Sequence, residues 1–158
     1  MILLRSTAFQ SALYSIKAIL QTTFSTIPPS RLISLIDTHP QLAAAVFWSF
    51  ASERAVLCER LIDVSRRSAS ERVAHFLLEL LTRLQGIGLA DERSYRLPLT
   101  QKMISDALGL NIRYVSRVLQ ELRENGIVRI SDRLVIIDRI DELLALAASS
   151  LPILSRYR

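Results

Sequence analysis

The chain has 158 residues, half of them hydrophobic and 22% charged, a balance that builds the core of one or two small domains and excludes a disordered chain. Twenty Lys and Arg against fifteen Asp and Glu give a formal charge of +5, which suits a polyanionic partner, although the basic residues are spread along the chain rather than clustered. One cysteine, Cys58, excludes a disulfide framework and cannot by itself hold an iron–sulfur cluster or a zinc ion. No apolar run reaches the ~18 residues that suggest a membrane span, and Arg5, Ser6, Gln10 and Lys17 interrupt any signal-peptide core. The expectation is a cytoplasmic protein without a membrane partner.

Tyr14 to Ile27 roughly alternates, with Tyr14, Ile16 and Ala18 opposed to Ser15 and Lys17, and predicts two strands. Pro28-Pro29 ends them, Ser30 can cap a short helix through Ile36, and His39-Pro40 opens a long helix from about Gln41 to Val64. In that helix Leu42, Val46, Phe50, Leu57, Leu61 and Val64 fall near one face, while Phe47, Trp48 and Ala51 make the first half apolar almost all round. Such a helix must be covered on more than one side, so Trp48 and Phe50 belong to a core or a dimer interface. Cys58 reads as an inert packing residue of the same helix.

The polar stretch Ser65 to Ser68 reads as a hinge. Ser68 and Glu71 then have the spacing of a capping box, and Val73, Phe76, Leu77, Leu80, Leu81 and Leu84 give the next helix a wide apolar stripe that Gly86 and Gly88 end. His39 reads as a turn residue and His75 as a helix-surface or partly buried one, since neither has a partner at ligand spacing. Tyr95 to Leu99 is a short extended segment, with Pro98 tolerable at a sheet edge.

Leu99 to Gly126 carries the chemistry. Thr100 is placed as an N-cap, Met103, Ile104, Ala107 and Leu108 recur at helical spacing, and Gly109 supplies a tight turn. Leu110 points inward, Asn111 can cap a second helix, and Val115, Val118, Leu119 and Leu122 form its buried stripe. Ile112, Arg113, Tyr114, Ser116, Arg117 and Gln120 are left on its outer surface, and Asn125-Gly126 ends it. Two short helices about one glycine form a helix-turn-helix, which inserts its second helix into the DNA major groove. Helical hairpins in ordinary bundles look similar, but here two β-rich runs follow at once: Ile127–Ile130 and Leu134–Ile137, separated by Ser131-Asp132-Arg133 as a three-residue hairpin. The combination is a winged helix. Asp138 to Ala148 adds a terminal helix, and Leu151 to Arg158 reads as a loose tail.

A long helix, a hinge, the RRSASERVAHFLLEL helix, a short strand, the helix-turn-helix and a wing resemble the carboxy-terminal half of the Crp/Fnr superfamily of bacterial transcription regulators. The resemblance is strongest from Ser65 to Ile137, where DALGLNIRYVSRVLQELRENGIV matches the family's DNA-binding signature. It implies a mainly α fold with small β elements. Residues 1–38 would be the remnant of a β-roll sensor domain, 39–67 a dimerisation helix and hinge, 68–148 a winged helix-turn-helix domain and 149–158 a tail. SALYSIKAILQTTFSTIPPSRL is similar to the end of the sensor, most of which would then be missing.

The same resemblance implies residue roles. Arg113 and Arg117 lie where the family's base-reading side chains project and Ile112 flanks them, while Asn111 caps the recognition helix and touches phosphate. Arg117 can donate twice to guanine O6 and N7, Arg113 departs from the glutamate frequent at its position, and Ile112 replaces a polar reader. Thr100, Gln101, Lys102, Tyr114 and Ser116 are phosphate or positioning contacts. The family's cyclic-nucleotide site pairs Gly-Glu with Arg-Ser-Ala. Arg67-Ser68-Ala69 repeats the second element in letters only, and Gln10 stands where the arginine should precede Ser11-Ala12, so no response to cyclic nucleotide is expected. No cofactor is called for, and no nucleophile with a base, paired carboxylates, metal-spaced cluster or glycine-rich phosphate loop suggests an enzyme. The expected partners are double-stranded DNA, a second copy of the chain and RNA polymerase. The alternative is an interaction protein that heterodimerises with full-length relatives and modulates them.

Overall fold

A computed structural model describes residues 18–147. The elements run in chain order as α1 (Pro29–Thr38), α2 (Pro40–Arg66), α3 (Ala69–Gln85), β1 (Ser94–Arg96), α4 (Gln101–Leu108), α5 (Ile112–Glu124), β2 (Val128–Ser131), β3 (Leu134–Ile137) and α6 (Ile140–Leu146). The chain divides between Leu61 and Ile62 into two compact units.

In the first unit the expected strands do not form over residues 18–27, and Tyr14 to Lys17 lies outside the described residues. A strand leaves its N–H and C=O groups open to the side and persists only where a partner strand closes the ladder. Among the described residues of this unit there is none. No strand therefore marks a β-roll remnant over residues 18–38. The first helix also begins earlier than Ser30 suggested. Pro28 is its N-cap and Pro29 its first residue, whose ring pre-sets φ for the helix, so Ser30 lies inside. Only His39 separates α1 from α2.

The first unit's part of α2 carries its large apolar side chains in solvent: Phe47, Trp48, Phe50, Leu57 and Leu61 are all more than half exposed. They are not core residues of this chain. Cys58, expected to pack, is exposed as well.

The second unit starts within α2, which runs to Arg66 and leaves only Arg67 and Ser68 between helices where a hinge of Ser65 to Ser68 was expected. The reason lies in α3. The Arg72 guanidinium donates to the carbonyls of Val64 at 2.7 Å and Arg67 at 3.0 Å, satisfying groups at the helix end that would otherwise be left to water. The capping box forms as expected: the Glu71 amide donates to Ser68 Oγ at 3.3 Å and the Ser68 amide to the Glu71 carboxylate at 2.6 Å. That backbone hydrogen bond holds the Glu71 carboxyl below its ordinary pKa.

The core sits where α3, α5, α6 and a three-stranded antiparallel sheet of order β1-β3-β2 meet. Leu77, Leu78 and Leu81 of α3, Val115 and Leu119 of α5 and Leu143 of α6 face Tyr95, Val128, Val135 and Ile137 of the sheet. Burial of these side chains at ~25 cal/mol per Å² is the main force assembling the unit. His75, expected at or near the surface, is buried on α3.

Two further boundaries differ. The register Ser131↔Leu134 leaves a two-residue turn, Asp132-Arg133, rather than the three-residue loop expected. Both turn residues have positive φ, 48° and 62°, the geometry whose twist matches that of the flanking strands. α6 covers Ile140–Leu146 rather than starting at Asp138, because the Asp138 carboxylate is held outside the helix by Arg129 at 2.7 and 2.8 Å; Ala148 lies outside the described residues.

Candidate nucleic-acid interface

Thr100 begins α4 as its N-cap, Oγ1 accepting from the Met103 amide at 3.2 Å. Ile104 and Leu108 are buried on the inner face of α4, while Gln101 and Lys102 stay in solvent. The helix stops in a left-handed Gly109, φ 61°, with the Leu110 amide reaching back to the Ser105 carbonyl at 3.0 Å. A Cβ at Gly109 would have open space, so glycine is required by backbone conformation rather than by crowding.

Asn111 then caps α5, its Oδ1 accepting from the Arg113 amide at 2.9 Å. Val115, Val118, Leu119 and Leu122 are buried, so helical geometry turns the opposite face outward. Ile112, Arg113, Tyr114, Arg117 and Gln120 are exposed there, and Ser116 is half-buried. Every residue expected to read or position DNA thus lies on α4, on α5 or at their caps.

The surface has a direction. In the first half of α5 the charged residues are Arg113 and Arg117; Glu121 and Glu124 belong to the second half. The Arg117 guanidinium lies 5.7 Å from the Tyr114 ring centroid, a cation–π contact that orders the arginine without using its N–H donors. Lys102 is already engaged: Nζ lies 2.6 Å from Asp106 Oδ1, with both side chains exposed. A phosphate contact there would be an exchange of partners, at little cost for a surface pair. The arrangement presents fixed cationic donors at the start of a helix, which suits base edges and phosphates. Among the described residues no cluster of three His, Cys, Asp or Glu side chains is placed to hold a metal ion.

Arg67-Ser68-Ala69 lies at a helix start, where Ser68 is committed to the capping box and its amide donates to the Glu71 carboxylate.

Residues 71–146 match the family described as the Crp-like helix-turn-helix domain. The Crp-like domain and the segments before it are similar to the transcriptional activator protein anr of Pseudomonas aeruginosa, 32% identical over 138 residues, 87% of this chain and 56% of that protein. A stretch of 74 residues, 47% of this chain, is also similar to the nitrogen fixation regulation protein FixK of Rhizobium meliloti, 40% identical and covering 33% of the relative. Among solved structures, FixK2 of Bradyrhizobium japonicum aligns with a TM-score of 0.67 at 30% identity, covering 77% of this chain and 60% of that one. CooA of Carboxydothermus hydrogenoformans, 18% identical with a TM-score of 0.62 over 75% of this chain and 54% of that one, shares the fold. The chain is thus similar to the carboxy-terminal part of Crp/Fnr regulators and spans about half the length of relatives such as anr.

Two exposed arginines lie outside the sequence-predicted set. Arg133 is exposed in the β2–β3 turn and Arg96 on β1. Ser131-Asp132-Arg133 was legible as a turn, but nothing in its letters says which side of the domain the turn faces.

Proposed function

We propose that this chain is a sequence-specific DNA-binding transcription regulator of the Crp/Fnr type, with α5 in the major groove and without response to cyclic nucleotide. One observation carries the reading: α5 buries Val115, Val118, Leu119 and Leu122 while its outer face begins with capped, solvent-facing Ile112, Arg113 and Arg117. Arg117 reads a guanine through two N–H donors, Arg113 favours a base edge offering acceptors, and Ile112 lies against a thymine methyl. Thr100, Gln101, Lys102, Asn111, Tyr114 and Ser116 set register through phosphates or by positioning. Two copies paired through α2 bind inverted half-sites about one helical turn, ~34 Å, apart. RNA polymerase as a partner rests on the family resemblance alone.

Binding is measured on a palindromic duplex recovered from random DNA, on the same duplex with five base pairs inserted at its centre, and on random DNA. Arg117→Ala costs about 1–3 kcal/mol per half-site on the palindrome and relaxes preference at one base pair, whereas Lys102→Ala weakens all sequences alike and flattens the salt dependence. Equal loss for Arg117→Ala on palindrome and random DNA removes Arg117 as a base reader.

A further inference from the structure

Within the first unit the exposed apolar stripe of α2 is interrupted at its centre. Phe47 and Phe50, then Leu57 and Leu61, keep the alternating three- and four-residue spacing of a helix seam, and all are more than half exposed. The residue that completes the spacing between Phe50 and Leu57 is Arg54, exposed with them. In heptad terms Phe47, Arg54 and Leu61 are a positions and Phe50 and Leu57 are d positions. Glu53, also exposed, is the g position that flanks the seam just before Arg54.

Their own helix answers neither charge. No acid lies three or four residues from Arg54, and no base three or four residues from Glu53. Successive residues do not face each other on a helix, so the two do not pair together. Among the described residues neither side chain enters an ion pair.

A second copy supplies the missing charges. In a parallel pair each a side chain enters a hole made by four residues of the facing helix: the a at its level, the d on either side, and the g just before. With the copies in register, Arg54 meets the partner's Arg54, the partner's Phe50, the partner's Leu57 and the partner's Glu53. The two guanidiniums repel, and the one carboxylate within reach of each is the partner's Glu53. Slipping by one heptad replaces that carboxylate with the partner's Val46 in one direction and the partner's Arg60 in the other. Only the in-register pair neutralises Arg54.

We propose that Arg54 and the partner's Glu53 form an ion pair, made twice by the two-fold axis, that locks the α2 dimer in register and restricts it to partners with the same acid–base order. The inference rests on the dimeric reading above and adds to it what chooses the partner. A polar a residue costs stability relative to an apolar one and specifies register in return. A foreign helix without an acid at this level leaves Arg54 desolvated and unpaired, so mixed dimers with it are the weaker ones.

The test uses the full chain without DNA, with sedimentation to measure dimer affinity and exchange between tagged and untagged copies to measure partner choice. Arg54→Glu sets acid against acid and raises the dimer dissociation constant about tenfold or more, and Glu53→Arg does the same with base against base. Glu53→Arg combined with Arg54→Glu restores the pair in reversed order. That double variant dimerises with itself, and forms far fewer mixed dimers with the unaltered chain than random exchange gives. Arg54→Ile, apolar along the whole seam, dimerises at least as tightly and loses the weakening by salt that the unaltered dimer shows. A double variant that mixes freely with the unaltered chain, or an Arg54→Ile dimer as sensitive to salt as the original, overturns the ion pair and leaves the α2 dimer standing. A monomeric unaltered chain overturns the dimeric reading beneath it, and the pair with it.

Discussion

Tyr95 is sealed inside the second unit at 2% exposure, with its hydroxyl donating to the Leu77 carbonyl at 2.9 Å. Burial pushes the phenol well above its ordinary pKa, because the charged form would lose its water. An unfolded tyrosine ionises near pH 10 and the folded one does not, so the native state binds the extra proton in alkali. Stability that depends on this group is intact below ~pH 10 and falls as the pH rises beyond it. Tyr95→Phe costs about 1 kcal/mol at neutral pH and makes the alkaline decline shallower, as denaturant titrations at pH 8 and pH 11 would reveal. An equally steep decline in the variant removes Tyr95 as its source. The sequence placed Tyr95 in an extended segment but could not show its bond to Leu77, eighteen residues earlier on another element.

Among the elements, local chemistry was legible wherever both partners lie within one turn of helix. Ser68 with Glu71, Thr100 with Met103 and Asn111 with Arg113 are all separated by two or three residues, and each cap forms as the letters suggested. The hinge was not legible, because the group that closes it comes from the next helix. Arg72 reaches back across eight residues to Val64, turning a polar stretch into a tied two-residue link. Arg72→Ala removes both bonds to the end of α2. Amide hydrogen exchange around Arg67 and Ser68 then speeds up several-fold while the amides of Val73 to Leu81 keep their protection. No change around Arg67 assigns the stiffness of the link to the capping box instead.

For the whole molecule the open question is what covers α2. Phe50, Leu57 and Val64 recur at seven-residue spacing and are 54%, 64% and 63% exposed. A seven-residue repeat suits a helix pair, and a two-fold dimer would bury the same stripe from both copies. On the proposed reading, sedimentation of the chain at micromolar concentration gives a dimer, and Phe50→Glu yields a monomer that also loses affinity for the palindrome. A stable monomer of the unaltered chain counts against the homodimer; a mixed dimer formed only with a full-length relative favours the interaction-protein alternative.

The sequence by itself determined α3, α4 and α5, their N-caps, the left-handed turn at Gly109 and the order of helix-turn-helix and wing, because each depends on residues a few positions apart. It also sorted α5 into a buried stripe and an exposed one, since helical periodicity alone does that. Only the tertiary structure decided the rest. The alternation before Ile27 formed no strand over the described residues, because pairing needs a partner that period alone does not supply. The two-residue turn came from the register of β2 on β3, and the place of Arg133 against Leu97, just beyond β1, came from one backbone hydrogen bond. The pairing of β1 with β3 is set by where distant segments meet, which no local spacing encodes.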